Sequence, residues 1–281
     1  MGKKRKSAAN NNKPQSSTTT TTASVSSKHA QNRNKSFHFP VDSLLPPAST
    51  STKGKPQHDL QQSSFSSSLI ELYSERVWVI RNFLSMKECN AFINVCEAST
   101  SEHHFEYTNL RATKYTAHRE CYRLQQPDAY ELAARLYERL INSNTAIQDL
   151  QNQLKVFHKK RPAYKPVGFN PNVRLYKYTK GHSFGKHIDE SNKVDGVGTT
   201  EITILVYLSR CTGGATRFYP PVCSSSKHKQ DSISFDPEPG TMLLHVHGNE
   251  CLEHEADPVL DGIKYVLRTD LVFDDEKQRH N

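Results

Sequence analysis

No stretch of the 281-residue chain approaches the roughly 18 consecutive apolar residues that a membrane-spanning helix needs. Nor does an apolar h-region follow the basic start, so a secretory signal is not expected. The six cysteines (Cys89, Cys96, Cys121, Cys211, Cys223 and Cys251) lack C-x-x-C spacing. That excludes a recognisable zinc-cluster motif and gives no sign of a disulfide framework, so they read as small buried hydrophobes. These absences lead to the expectation of a soluble, intracellular protein, cytoplasmic or nuclear.

Net charge is missing from most of the chain as well. Residues 1 to 60 hold ten Lys or Arg against Asp42 and Asp59, a balance of +8 that equals the formal charge of the whole chain. The remaining 27 basic and 27 acidic residues cancel, so a nucleic-acid reading of the high pI concerns the front segment alone. That segment is rich in Ser, Thr, Asn and Lys and has almost no apolar periodicity. It cannot bury enough surface to offset ordering entropy, and residues 1–70 read as a disordered basic tail. Within it, Lys3-Lys4-Arg5-Lys6 has the make-up of a site for a nuclear-import receptor, or of an electrostatic anchor for RNA or acidic lipid. A solvated terminus without a receptor is the plain alternative. Gly2 does not open a myristoylation motif, because Lys6 stands where Ser or Thr is wanted.

Residues 71–276 read as the folded domain, with helical support over 71–150 and a β core over about 170–274. Arg76 to Ile80 reads as a strand, and Ser85 followed by Glu88 predicts a capping box. The helix after it places Cys89, Phe92, Ile93 and Cys96 on one stripe. Pro127-Asp128 predicts a second helix, capped by Asp128 and Glu131, with Ala129, Leu132, Ala133, Leu136 and Leu140 buried. Later the pattern changes to short strands: Val173 to Tyr178, Glu201 to Leu208, Ala215 to Tyr219, Thr241 to Val246 and Lys264 to Phe273. Helices followed by a run of strands indicate an α+β fold, with an antiparallel jelly roll carrying the site between facing sheets.

Chemistry concentrates in that second half. His187 and Asp189 are two apart, which on a strand puts an imidazole and a carboxylate on one face. With His254 from a distant strand they make the two-histidine, one-carboxylate set that suits non-haem Fe(II) and leaves positions open for substrate and dioxygen. His182, His245 and His247 rank below His254, being placed in a loop or at the end of the preceding strand. Lys264 and Arg268, four apart on one predicted strand, offer a point charge and a bidentate fork for a dicarboxylate. Tyr178 has a hydroxyl for the same carboxylate, or is a core tyrosine.

Taken in order, Asn172-Val-Arg-Leu-Tyr-Lys-Tyr178, Gly181-x-x-Phe184-x-x-His187-x-Asp189, Gly213-Gly214-x-Thr216-x-Phe218, Pro239-Gly240, and His254-Glu255 through Lys264 to Asp270 resemble the Fe(II)/2-oxoglutarate dioxygenase superfamily, in its prolyl 4-hydroxylase-like branch. The resemblance covers about residues 76 to 274. It implies a double-stranded β-helix, with His187, Asp189 and His254 as iron ligands and a cation of the last strand on 2-oxoglutarate. Lys264 is favoured because it directly precedes an aromatic residue, Tyr265, and Arg268 stays a candidate. It further implies O2 as co-substrate, L-ascorbate as reductant, and a protein or peptide substrate, with peptidyl proline first. The missing secretory features argue against collagen, and the Lys264/Arg268 spacing argues against the demethylases of alkylated nucleic acids. Two other readings remain at this point: a non-catalytic module binding metal or 2-oxoglutarate, and a protein-interaction scaffold on the same fold. The segments Lys159 to Lys165 and Glu190 to Thr200 stand as either borders of the active-site mouth or ordinary exposed loops.

Overall fold

Antiparallel pairing organises the protein, in a computed structural model that describes residues 37–46, 69–98, 105–142, 150, 165–221 and 231–274. The basic cluster at the start, Cys223 and residues 159–164 lie outside the described residues. The helices are α1 (Val41–Leu44), α2 (Met86–Glu97) and α3 (Tyr130–Asn142). The first strands are β1 (Leu69–Tyr73), β2 (Val77–Ile80), β3 (Glu106–Leu110), β4 (Arg119–Gln126), β5 (Pro166–Phe169), β6 (Val173–Tyr178), β7 (Phe184–His187) and β8 (Lys193–Val194). After them come β9 (Gly198–Tyr207), β10 (Cys211–Gly213), β11 (Thr216–Tyr219), β12 (Ile233–Phe235), β13 (Met242–Val246), β14 (Glu253–Ala256), β15 (Val259–Gly262) and β16 (Lys264–Phe273). Hydrogen bonds link them in the order β1-β2-β13-β9-β16-β6-β4-β7-β14-β11-β12, with β3, β5 and β8 attached to β4, β16 and β9. Rolled up, this path is a jelly roll, the double-stranded β-helix, with α2 and α3 packed outside.

Period-2 alternation sorts the central strands into two rows. Trp78 and Ile80 of β2, Ile202, Ile204 and Val206 of β9, Met242, Leu244 and Val246 of β13, and Tyr265, Leu267, Leu271 and Phe273 of β16 share one core with Phe92, Leu132, Leu136 and Leu140 of the helices. The intervening residues point into the roll, where Val77, Val79, Leu243, Tyr207, Phe218 and Val266 form a second core. With both faces covered, β2 is buried at every position, which is why it reads as a continuous apolar run. The same alternation puts Thr203, His245, Lys264 and Arg268 on the inward row.

The capping box at Ser85 forms as expected, the Ser85 hydroxyl accepting from the Glu88 N–H while the Glu88 carboxylate accepts from the Ser85 N–H. Glu88 also pairs with Arg139 of α3, at 2.5 and 2.9 Å, joining the two helices. Helix α3 starts at Tyr130, later than Pro127-Asp128 suggested, and Glu131 pairs with Arg135 one turn on.

Two expectations need correction. Residues 37–46 do not belong to a disordered tail: Phe39, Val41, Leu44 and Leu45 are buried in the helix-side core. Their apolar side chains are too few and too closely spaced to show a period, and their burial depends on partners far along the chain. The Phe39 N–H donates to Gln126 Oε1 at 2.8 Å, and Arg135 binds both Asp42 and the Leu45 carbonyl. Phe39→Ala should therefore lower stability by about 3 kcal/mol, read from the urea midpoint. An unchanged midpoint would return this segment to the tail.

The second correction concerns the span read as helical support, which also carries β1 to β4. Strand β4 pairs with both β6 and β7 and is part of the roll. Its sequence, Arg-Glu-Cys-Tyr-Arg-Leu-Gln-Gln, buries Cys121, Leu124 and Gln126, too polar a set to announce a strand.

Candidate metal centre

His187 closes β7, and its partner across the ladder is His254 of β14, so two residues 67 positions apart become direct neighbours with ring centroids 4.2 Å apart. Asp189 is not on the strand with His187, as the H-x-D spacing suggested. It lies two residues beyond the end of β7, where its carbonyl accepts from the Gly248 N–H at 2.8 Å. The backbone leaves the sheet there, and the carboxylate still returns to the same point. Asp189 Oδ1 is 3.7 Å from His187 Nε2, and Oδ2 is 3.9 Å from His254 Nε2. One donor atom from each of the three residues falls within 4.8 Å of the others.

Hydrogen bonds fix which ring nitrogens face this point. His187 Nδ1 lies 2.9 Å from the Gly185 carbonyl, and His254 Nδ1 lies 2.9 Å from the Leu252 carbonyl. A carbonyl oxygen only accepts, so each Nδ1 carries the proton and each Nε2 keeps its lone pair. Burial, then the neighbouring His254, pushes the His187 imidazolium down to about 3, and burial also lowers His254. Both rings are thus neutral at physiological pH. Burial alone would raise the Asp189 carboxyl, but the Arg268 guanidinium beside it outweighs that and holds Asp189 well below its usual range. Two neutral nitrogen donors and one carboxylate are ready for a divalent cation without first losing a proton.

The two candidate cations of β16 separate by partner. The Arg268 guanidinium donates to Asp189 Oδ2 at 2.9 Å and lies 3.7 Å from Asp270. Thr203 adds its hydroxyl to the same Oδ2 at 2.6 Å. Lys264, 2% exposed, donates to the Gly214 carbonyl at 2.6 Å and pairs with no carboxylate among the described residues. Its ammonium sits 5.5 Å from the Tyr178 ring, its neighbour across β6 and β16. Gly214 makes this close approach possible. At φ +67° it takes a conformation that favours glycine, and a Cβ there would lie 3.3 Å from Lys264 Cδ and 3.0 Å from Cys211 Sγ. One pocket joins the pieces, lined by His187, Asp189, His254, Arg268, Lys264 and Tyr178, with Arg268 against Asp189 and Lys264 four residues away along β16.

Residues 173–269 match the model of the 2OG-Fe(II) oxygenase superfamily. This segment belongs to that superfamily. Similar solved structures include prolyl hydroxylases. The viral collagen prolyl hydroxylase of Paramecium Bursaria Chlorella virus-1, in its 2OG complex, is 18% identical with a TM-score of 0.40, covering 70% of this chain and 95% of that one. The Pseudomonas putida prolyl-4-hydroxylase is 13% identical with a TM-score of 0.45, covering 70% and 92%. A Trichoplax adhaerens prolyl hydroxylase, solved with a hypoxia inducible factor peptide fragment, is 19% identical with a TM-score of 0.45, covering 73% and 86%. No curated protein matches this chain.

A 2OG-Fe(II) oxygenase works with Fe(II), 2-oxoglutarate and O2, and the pocket has residues that fit such a set. Its nitrogen and oxygen donors suit Fe(II), its Lys264 ammonium donates to a backbone carbonyl and pairs with no carboxylate among the described residues, and its lining includes buried polar atoms without hydrogen-bond partners, among them His245 Nε2 and Arg268 Nε.

Two residues near the site, Thr203 and Arg119, escaped sequence reasoning, and His245, ranked below His254 as an imidazole, lines the pocket with Thr203. Thr203 and His245 are paired opposite each other on β9 and β13, both on the inward row. Alternation from Leu243 would have pointed His245 inward, but its place near the strand end concealed this. Arg119 lies outside the matched segment and stacks its guanidinium 3.8 Å from the Phe184 ring, which in turn stacks 3.7 Å from His187. The Glu190 to Thr200 segment forms the β8–β9 turn.

Proposed function

We propose that this chain is an Fe(II)- and 2-oxoglutarate-dependent dioxygenase that hydroxylates an aliphatic C–H, with a peptidyl proline as the leading substrate. One observation carries the reading: the Nε2 atoms of His187 and His254 and the Asp189 carboxylate converge in a pocket that Lys264 also lines. Iron held by these three residues, with 2-oxoglutarate and O2, supplies the oxidising chemistry and releases succinate and CO2.

The residues of the chain prepare that chemistry. Gly185 and Leu252 hold the two imidazoles in the ligating tautomer. Arg268 and Thr203 occupy Asp189 Oδ2 and leave Oδ1 for the metal. Lys264 takes the distal carboxylate of 2-oxoglutarate, because Arg268 is already committed to carboxylates of the chain. The Tyr178 phenol, held protonated by burial, would donate to the same carboxylate. Leu205, Val266 and Ala256 line the same pocket with apolar surface and keep water away.

The resemblance to prolyl hydroxylases supports a protein or peptide substrate and L-ascorbate as reductant. The division into a tail over 1–70 and a dioxygenase domain over 71–276, amended by the buried residues 37–46, belongs to the same proposal. So does a cytoplasmic or nuclear location, with the basic cluster serving an import receptor or RNA.

Anaerobic titration of the metal-free protein with Fe(II) and 2-oxoglutarate should produce the visible charge-transfer band of a chelated keto acid. His187→Ala and His254→Ala should each abolish it. A folded wild-type protein that gives no band would refute the assignment and favour a non-catalytic role for the fold.

A further inference from the structure

His245 is a third imidazole in the pocket wall, 2% exposed, on the inward row of β13. Its ring centroid is 4.4 Å from that of His254, and the Phe218 ring packs against it edge-on at 5.4 Å. On its Nδ1 side the neighbour is the Cys251 thiol, at 3.9 Å. Its Nε2 is buried and has no hydrogen-bond partner. Asp189 Oδ2 lies 3.6 Å from it, beyond hydrogen-bonding range and already accepting from Arg268 and Thr203.

The charge beside it decides the tautomer. A lone pair on Nε2 facing the Asp189 carboxylate would be repelled, so Nε2 carries the proton and points a donor into the pocket. A buried donor left unsatisfied is unfavourable, and native interiors seldom retain one unless a ligand or water completes it. The donor lies at the metal end of the pocket, away from Lys264. Of the two ends of 2-oxoglutarate, the one that would reach this place is the keto acid, with Lys264 taking the other.

We propose that His245 is a cosubstrate-binding residue, its Nε2–H donating to the keto-acid carboxylate of 2-oxoglutarate; this rests on the dioxygenase reading above. His245 and Lys264 then grip opposite ends of one molecule, and His245 sets the orientation of the end that meets the iron.

The test is anaerobic binding, with no turnover required. The charge-transfer band is titrated with 2-oxoglutarate and with 2-oxobutyrate, which has the keto acid and lacks the distal carboxylate. His245→Phe, close in shape and without a donor, should weaken both ligands by about tenfold and shift the band. Lys264→Met should weaken 2-oxoglutarate alone. Affinity for Co(II) without keto acid should stay within about twofold in His245→Phe, and His245→Gln, which restores an N–H, should recover part of the loss. Thermal melts establish that the variants are folded. Wild-type affinity for both keto acids in His245→Phe would overturn the proposal and leave water as the partner of Nε2. Loss of Co(II) binding in that variant would also overturn it, by making His245 a metal ligand. If wild-type protein gives no band, the dioxygenase reading fails first. A normal wild-type band with an unaltered His245→Phe titration removes only the role of His245.

Discussion

Asp189→Ala should lose Fe(II) binding by more than about 100-fold, a loss larger than the 10- to 100-fold typical of outer-shell changes, and with it all turnover. Two imidazoles remain, and neither carries the negative charge that offsets a divalent cation. The structure adds a second consequence that a surface ligand would not have. Asp189 is 8% exposed and is the 2.9 Å partner of the Arg268 guanidinium. Removing it leaves that cation buried, with Asp270 at 3.7 Å as the remaining carboxylate. Breaking a buried ion pair from one side costs about 3–5 kcal/mol, and Asp270 places this case at the lower end. Metal-free Asp189→Ala should thus unfold at a lower urea concentration than metal-free wild type, and its melting should no longer respond to Fe(II) or Co(II). A purified Asp189→Ala protein that still turned over normally would disprove the ligand assignment.

Lys264→Met should weaken 2-oxoglutarate binding by about 100-fold, the effect of truncating one partner of a buried charge pair, while the metal affinity without cosubstrate is retained. Met keeps the length and apolar contacts of the stem, so the change reports the charge. Lys264 also gives the binding a pH dependence. Burial pushes its ammonium down to about 8 in the free protein, and the charged form is the one that pairs with a carboxylate. The charge is present below that value and lost as pH rises through it. Affinity for 2-oxoglutarate should therefore be flat below about pH 8 and fall by up to tenfold per unit above it. Titration of the charge-transfer band between about pH 7 and 9 tests this, and Lys264→Met should show no such slope. If Arg268 were the main anchor, binding would survive Lys264→Met and stay flat to high pH, because the Asp189 and Asp270 carboxylates outweigh burial and leave the guanidinium charged throughout.

Much of this was legible in the chain itself. The strands Val173–Tyr178 and Lys264–Phe273 fall where alternation and branched residues placed them, and the Ser85–Glu88 capping box is a local contact between residues three apart. Local signals of this kind depend on near neighbours and survive in any context. His187, Asp189 and His254 stood out because their residue types and order carry chemistry, and the fold brings all three together. Strand β4 did not stand out, because a strand hydrogen-bonded on both sides can remain polar at half its positions.

Other features required the tertiary structure. Residues 37–46 are ordered by partners such as Phe92, Gln126 and Arg135, which no local pattern could name. Lys264 and Arg268 share a face of one strand, and sequence spacing left both open as carboxylate anchors. What separates them is that Asp189, 79 residues from Arg268, folds back onto its guanidinium, while Lys264 runs past Gly214 into open pocket. His245 likewise gained meaning only when β13 lay beside β9 and His254 came within 4.4 Å. Sequence by itself determined the elements and the chemical inventory, because backbone preferences and side-chain types are properties of short segments. The assignment of partners was decided by the roll of the sheet, because electrostatic pairing and burial act through space between residues far apart in the chain.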